Sequence, residues 1–316
     1  MQDLNIEIAR YSESRKSDWN GFIKKSKNSI FLFDRNYMDY HADRFHDHSL
    51  IISNGNRVVA LFPANERDNK IFSHQGLTYG GMLFLPETTL TDSIEILKGI
   101  IAYYKKNGIE SIIYKSIPYF YHKMPSSEDL YALHLVNASL IRRNASAVID
   151  LRNKISYAKG RKSQISKANK YNLSIVQSEN YSEFMRLVQE RLKEKYDTNA
   201  THSLEEIIYL SSRFPGNIKL FTCRDQNALH AGLITYETET AVHCQYIGTS
   251  AFGREIGALD LLTDYLINKE YCNKQYFDFG TSADFSELGI NIGLHKNKES
   301  YGARTVMCDI YEIKVN

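Results

Sequence analysis

The chain has 316 residues, a net charge of +2 and apolar side chains at 43% of positions; that is more than one core of ordinary size organises, and it predicts two domains of about 150 residues each. Lys and Arg are spread along the chain apart from one basic run, which excludes a general nucleic-acid-binding surface. No apolar run reaches bilayer length, MQDLNIEIARYSESRKSDW holds no apolar leader core, and Cys223, Cys244, Cys272 and Cys308 form no CxxC pair, so a cytoplasmic protein with reduced thiols and no membrane partner is expected.

In chain order, a strand is predicted over 6–10 and a helix over 16–27 with Trp19, Phe22 and Ile23 on one face. A second helix over 34–45 has Asp34 as its cap and Met38, His41 and Phe45 at helical spacing. Strands 50–53 and 57–64 flank Asn54-Gly55-Asn56, a strong hairpin signal. A further strand pair surrounds Asn69-Lys70, and Gly76-Leu77-Thr78-Tyr79-Gly80-Gly81 is the glycine-rich point of this half. Helix 92–106 stops at Asn107-Gly108, and strand 111–115, an aromatic loop over 118–125, a helix over 127–136 and strand 140–151 follow.

A basic segment opens the second half: Arg152, Lys154, Lys159, Arg161, Lys162, Lys167 and Lys170 with no acid among them. Then come strand 173–176, helices 181–196 and 203–213 with Pro215-Gly216 ending the latter, and strands 218–223 and 229–237 around a polar turn. The stretch 241–304 carries the most chemistry. It reads as strand 241–248, a glycine-spaced loop 249–257, an amphipathic helix 258–270 and strand 275–280, ahead of a last strand over 305–315. A strand feeding a loop at a helix N-terminus favours an anion such as a pyrophosphate. The two halves repeat at an offset of about 165 residues, with Leu50 answering Ile218, Ile96 answering Leu261 and Ile112 answering Phe277. Hairpins first and a helical crossover later predict an α+β fold with mixed, mainly antiparallel sheets flanked by helices.

Phe277-Asp278-Phe279-Gly280 sets a carboxylate at a strand end. A kinase is excluded, since no GxGxxG loop or His-Arg-Asp loop precedes it, and no GxSxG supports a hydrolase. His41, His46 and His48 lie close in sequence but do not share one helical face, so no metal is expected. The 22 Tyr against one Trp suit strands and also the stacking of sugars or bases.

Val148-Ile149-Asp150-Leu151, Arg161-Lys162-Ser163-Gln164-Ile165 with Lys167-Ala168, Phe277-Asp278-Phe279-Gly280 and Lys298-Glu299-Ser300-Tyr301-Gly302 carry a resemblance. The succession resembles the acyl-CoA-dependent N-acyltransferase (GNAT) superfamily, doubled as in the Fem-type peptidoglycan aminoacyltransferases and their sugar-modifying relatives. The resemblance covers the second half by motif and the first by topology. It implies an N-terminal GNAT-like domain at 1–150 on the acceptor side and a C-terminal GNAT domain at 151–316 on the acyl-CoA side. Without room for a coiled-coil insertion, the chain is similar to bacterial N-acyltransferases of nucleotide-linked amino sugars, such as the hydroxybutanoyl transferases for dTDP-linked amino-dideoxyhexoses. The expected function is therefore transfer of an acyl group from acyl-CoA to such a sugar for surface polysaccharide. Its alternatives are a Fem-type aminoacyl-tRNA-dependent transferase and a non-catalytic CoA- or nucleotide-binding module. The acyl chain, the sugar epimer and the oligomeric state, a homodimer included, stay open.

The resemblance also implies roles. Acyl transfer needs a neutral amine, a stabilised oxyanion and a protonated leaving thiol. His243 and Asp278 are candidates to take or relay the amine proton, Ser282 to reach the thioester, and Tyr301 to protonate the thiolate. Backbone N–H groups of Tyr246, Ile247 and Gly248 are the oxyanion donors. The superfamily's CoA loop, Gln/Arg-x-x-Gly-x-Gly/Ala, corresponds to Arg254-Glu255-Ile256-Gly257-Ala258-Leu259, with Leu at the last position; Gly253, Arg254, Gly257 and Ala258 are the CoA-binding candidates. Tyr37, Tyr40, His41, Tyr79 and Gly80 are expected to line the acceptor side of the cleft, and Arg161, Gln245 and Lys298 to bind substrate, Arg161 by its diphosphate.

Overall fold

The structure is a computed structural model describing residues 5–284 and 286–315. The first of its two compact units takes the chain to Asn144 and again from Met307, and the second is Ala145–Val306. The sequence reading kept the closing strand with the second half; most of that strand packs in the first unit.

The first unit contains β1 (Ile6–Arg10), α1 (Lys16–Lys25), α2 (Arg35–Met38), β2 (His46–Asp47), β3 (Leu50–Asn54), β4 (Arg57–Phe62), β5 (Asn65–Arg67), β6 (Lys70–Phe72), β7 (Leu83–Phe84), α3 (Leu90–Lys106), β8 (Ser111–Lys115), α4 (Glu128–Leu135) and the start of β9 (Ser139–Asp150). One antiparallel sheet runs β1-β3-β4-β7. In a second, β8 pairs with β6 in parallel, and β6 leads through β5 to β2. Helix α3 begins with a Thr89–Asp92 capping box and buries Ile96, Leu97, Ile100 and Tyr104 against Leu50, Phe62 and Ile112.

The helix expected over 34–45 is cut short. Asp34 does cap it, accepting from the N–H of Asn36, but α2 ends at Met38. The His41 ring bonds the Met38 carbonyl (2.6 Å) that the Ala42 N–H would take in an α-helix, and Ala42 turns to Asp39 instead (3.3 Å). A side chain has replaced the next helical hydrogen bond.

The second unit contains the end of β9, α5 (Lys159–Ala168), β10 (Ser174–Ser178), α6 (Tyr181–Tyr196), α7 (Leu204–Arg213), β11 (Ile218–Arg224), β12 (Leu229–Glu237), β13 (Ala241–Thr249), α8 (Ala251–Ile256), α9 (Ala258–Tyr265), β14 (Tyr276–Thr281), α10 (Ile292–Glu299) and the first residues of β15 (Arg304–Lys314). Its sheet runs β10-β11-β12-β13-β14-β9, antiparallel except for β13 and β14. In the first unit β15 closes antiparallel on β8, as β9 does on β14 here. Leu262, Leu266 and Ile267 pack with Phe277, Val242 and Leu233 into the core. The expected loop 249–257 is largely the helix α8, started by Ser250, whose hydroxyl accepts from the Gly253 N–H, and ended by Gly257 in the left-handed region (φ 78°). Helix α10 is absent from the sequence reading because it has no continuous apolar face; Asn291 caps it by accepting from the Leu294 N–H. Among the described residues no helix is long and apolar enough to cross a membrane.

Candidate active site

The site is built where β13 and β14 part. They pair in parallel at only three positions, Ala241 with Tyr276, Val242 with Phe277 and His243 with Asp278. Beyond that point β14 stays beside β9, where Thr281 faces Ser146, while β13 continues along β12 to Thr249. A bulge at Gln245 marks the departure: Ile234 faces Tyr246, but the next residue, Thr235, faces Cys244. The Ser250 N–H donates to His230 O (3.0 Å), so in an antiparallel ladder Gly248 and Tyr246 also turn towards β12 and the Ile247 N–H turns to the opposite edge. That edge is the one β14 has left, so Ile247 is the member of the expected trio whose N–H faces the opening.

At the apex, the His243 Nδ1–H donates to Asp278 Oδ2 (2.7 Å). Asp278 Oδ1 accepts from the Ser146 hydroxyl (2.8 Å) and the Gly280 N–H (2.7 Å). Burial pushes the Asp278 carboxyl up, but His243, the Gly280 N–H and the Ser146 hydroxyl outweigh it and hold it below the ordinary carboxylate range. With Nδ1 so engaged, the His243 ring presents Nε2 as an acceptor, and no described residue bonds that nitrogen. Gly280 sits at φ 74°, and a Cβ there would come 2.9 Å from His243 Cε1, so glycine makes room for the ring. Cys244 next door is buried and its thiol pushed well up, which leaves it a poor nucleophile.

Helix α10 backs this apex. The Lys298 ammonium donates to Gly280 O (2.9 Å) and Thr281 O (2.7 Å), and burial lowers its pKa to about 8. Ser282 is buried beside His295, whose Nδ1 lies 3.3 Å from the Ser282 hydroxyl and whose Nε2 lies 2.9 Å from that of Thr305. Ser146, His295 and Thr305 were missed by sequence reasoning. Ser146 reaches Asp278 across 132 residues of chain, and only His295 leaves a trace, three residues before Lys298 on one helical face.

Other expected residues lie elsewhere. Tyr301 is buried, its hydroxyl 3.3 Å from Asp260 Oδ1 and its pKa pushed up to about 12 by burial, with the Arg161 guanidinium 3.9 Å from its ring centre. Arg161 also pairs with Asp260 and donates to Ser300 Oγ (2.8 Å), so its charge is already met. Gly253 and Gly257 serve the protein's own packing: a Cβ would meet His230 O at 2.1 Å and Gln164 O at 2.7 Å. Ala258 is buried as the first residue of α9. Cationic groups nonetheless stand at the two ends of α8, Arg254 on Thr249 O (3.1 Å) at the turn from β13 and Lys167 on Glu255 O (2.6 Å) in the last turn. These could hold a diphosphate.

In the first unit, Tyr37 is buried edge-on against Phe31 and Tyr40, and Tyr40 stacks on His41 at 4.3 Å. Tyr79 is buried against Tyr121, and a Cβ on Gly80 would strike Ser73 O at 1.8 Å. Tyr37 and Tyr79 thus spend their rings on neighbours.

No family model matches the chain, and no curated protein matches it. Solved structures do. FemX superposes with a TM-score of 0.69 at 10% identity, over 98% of this chain and 97% of that one. The C-terminal domain of a putative lysylphosphatidylglycerol synthetase from Agrobacterium fabrum gives 0.61 at 12% identity, over 96% and 93%. A tandem GNAT protein from the clavulanic acid biosynthesis pathway gives 0.51 at 8% identity, over 99% of each. The fold of this chain is therefore α+β, with two GNAT-like units in tandem.

Proposed function

We propose that this protein is an acyl-CoA-dependent N-acyltransferase whose acceptor is the amino group of a nucleotide-linked, dTDP-type amino-dideoxy sugar used in surface polysaccharide. One observation carries the reading: β13 and β14 part immediately beyond a buried Asp278–His243 couple, leaving the Ile247 N–H on an edge no strand covers. His243 Nε2 takes a proton from the acceptor ammonium, and Asp278 holds the ring in the tautomer that can do so. The free amine attacks the thioester carbon and the C–N bond forms, with the Ile247 N–H meeting the charge on oxygen. The C–S bond then breaks and the thiolate takes the first proton back from His243; the nitrogen sheds its second proton to the freed His243 Nε2, and from there to solvent, as the amide forms. No covalent enzyme intermediate is required, in keeping with the raised Cys244 thiol. Arg254 and Lys167 are the groups suited to the CoA diphosphate.

A second reading, a Fem-type transferase using aminoacyl-tRNA, draws on the FemX likeness. This chain spans 97% of that one, so length alone does not separate the readings. Thermal shift with CoA, acetyl-CoA, dTDP, UDP and bulk tRNA does. Stabilisation by CoA and dTDP is expected, followed by thiol release from an acyl-CoA when an amino sugar nucleotide is added. Stabilisation by tRNA alone reverses the ranking, and binding of CoA without thiol release leaves a non-catalytic module.

A further inference from the structure

The first unit holds a cavity of about 370 Å³ lined by Tyr11, Arg35, His74, Glu13, Asp39 and Asp47, among others. Its volume lies in the range of small-molecule sites, about 300–1,000 Å³. Arg35 is 1% exposed, and its guanidinium is fixed on three sides. Cζ lies 3.5 Å from the Tyr11 ring centre and 4.2 Å from that of Trp19, while Nη1 pairs with Asp47 and lies 3.6 Å from Asp39. Nε and Nη2, which form the opposite edge, have no partner among the described residues. Neither do the Tyr11 hydroxyl and His74 Nδ1, both buried on the same cavity. Buried polar atoms are nearly always paired, so four orphans on one cavity mark a place where something supplies the partners. His74 is moreover a non-glycine residue at φ 64°, a strained conformation of the kind that clusters at binding sites.

The chemistry of the missing partner follows from the lining. The Nε–Nη2 edge is a two-pronged donor that matches the two oxygens of a carboxylate. Tyr11 and His74 add further hydrogen-bonding atoms beside it. Around this buried group stand three carboxylates against two cations, the Arg35 guanidinium and the Lys16 ammonium that pairs with Asp39 (3.0 Å), and the Glu13 carboxylate has no partner among the described residues. Such a balance disfavours a bare anion and favours a positive charge on the same ligand. We infer that the cavity binds a small zwitterion of the α-amino acid class, its carboxylate on the Arg35 Nε–Nη2 edge and its ammonium towards Glu13 and Asp39.

This inference requires no acyl donor and no turnover, and it stands or falls apart from the transferase reading. Titration calorimetry on the full chain with glycine, L-alanine and L-phenylalanine tests it, with acetate, methylammonium and inorganic phosphate as part-ligands. At least one amino acid is expected to bind saturably, and acetate and methylammonium at least ten-fold more weakly. Arg35→Lys, which keeps the charge but removes the fork, should weaken binding more than ten-fold. Should that variant not fold, Glu13→Gln at the exposed rim and Tyr11→Phe carry the test, each with a several-fold loss. The inference is overturned if no amino acid binds, if phosphate binds and the amino acids do not, or if Glu13→Gln and Tyr11→Phe both leave the affinity unchanged.

Discussion

The two units use one plan and part their sheets differently. In the second, β13 and β14 share three register positions before separating; in the first, β7 is two residues long and pairs with β4, while β8 pairs with β6 and β15. The register that sets Ile112 against Phe277 sets apolar Ile113 against Asp278, so the polar couple exists in one copy alone. Both units bury a lysine near the parting, each with its pKa lowered by burial to about 8. Lys115 donates to His74 O and Leu77 O, as Lys298 does to Gly280 O and Thr281 O. An ammonium can thus supply backbone carbonyls with the donors that a neighbouring strand would have given. The buried carboxylates diverge as well. Asp278 has an imidazole, a hydroxyl and a backbone N–H on it and is held low. Asp129 has the Tyr114 hydroxyl (2.7 Å) and one backbone N–H, and burial pushes it up to about 6.

The largest effect should come from destroying the asymmetry at the apex. Asp278→Asn is expected to lower kcat/KM by about 10²–10⁴, since the His243 tautomer and its charged form both lose their support. Ile113→Val, at the matching place in the first unit, should leave kcat/KM unchanged and cost no more than about 1 kcal/mol of stability. Equal losses of activity from the two would mean that the copies are not divided as described. Next in size, Asp47→Ala strips the Arg35 guanidinium of its bonded carboxylate. Leaving a buried charge with one more distant partner should cost about 3 kcal/mol, read as a lower urea midpoint.

The carboxylates sharpen the contrast through pH. Asp129 has a folded pKa of about 6, above its ordinary value of 3.8, so the folded state binds more protons between those values and this group's contribution is lost as pH rises from 4 to 6. At 1.36 kcal/mol per unit the loss is at most about 3 kcal/mol. Asp278 acts in the opposite sense, contributing stability above the ordinary carboxylate pKa that is lost as pH falls through its depressed one. Urea midpoints of Asp129→Asn measured at pH 4 and pH 7 should therefore lose the Asp129 slope, whereas the Asp278 slope lies below pH 4 and is kept in the same variant there. An unchanged profile would remove Asp129 from the account.

Local signals made much of the fold legible. Asn54-Gly55 gave its hairpin and Asn107-Gly108 its helix stop, and the apolar spacing of α3, α6 and α9 placed those helices. What stayed illegible depends on partners distant in the chain. His243 and Asp278 could each be named as candidates, but their bond spans 35 residues and follows from a parallel register that no local pattern encodes. His41 shortening its own helix is a competition of two donors, its ring N–H and the Ala42 N–H, for the Met38 carbonyl, invisible to helical periodicity. Arg35 was passed over because an arginine in a polar helix start reads as solvated; its burial depends on Tyr11 and Trp19 closing over it.

The smallest effect isolates one contact. Gly280 and Gly55 both sit in the left-handed region, at φ 74° and 58°, but Gly55 faces open space and Gly280 faces the His243 ring. Alanine at either position should cost about 1–2 kcal/mol for the backbone conformation alone. Any excess at Gly280 is the push of a Cβ against His243 Cε1, 2.9 Å away. Placing Gly280→Ala in a His243→Ala background should erase that excess and leave a coupling energy of at least about 0.5 kcal/mol in the double-mutant cycle. Urea midpoints of the four proteins measure it. If the cycle closes without coupling, Gly280 is there for its turn and not for the imidazole, and the opening between β13 and β14 owes nothing to this glycine.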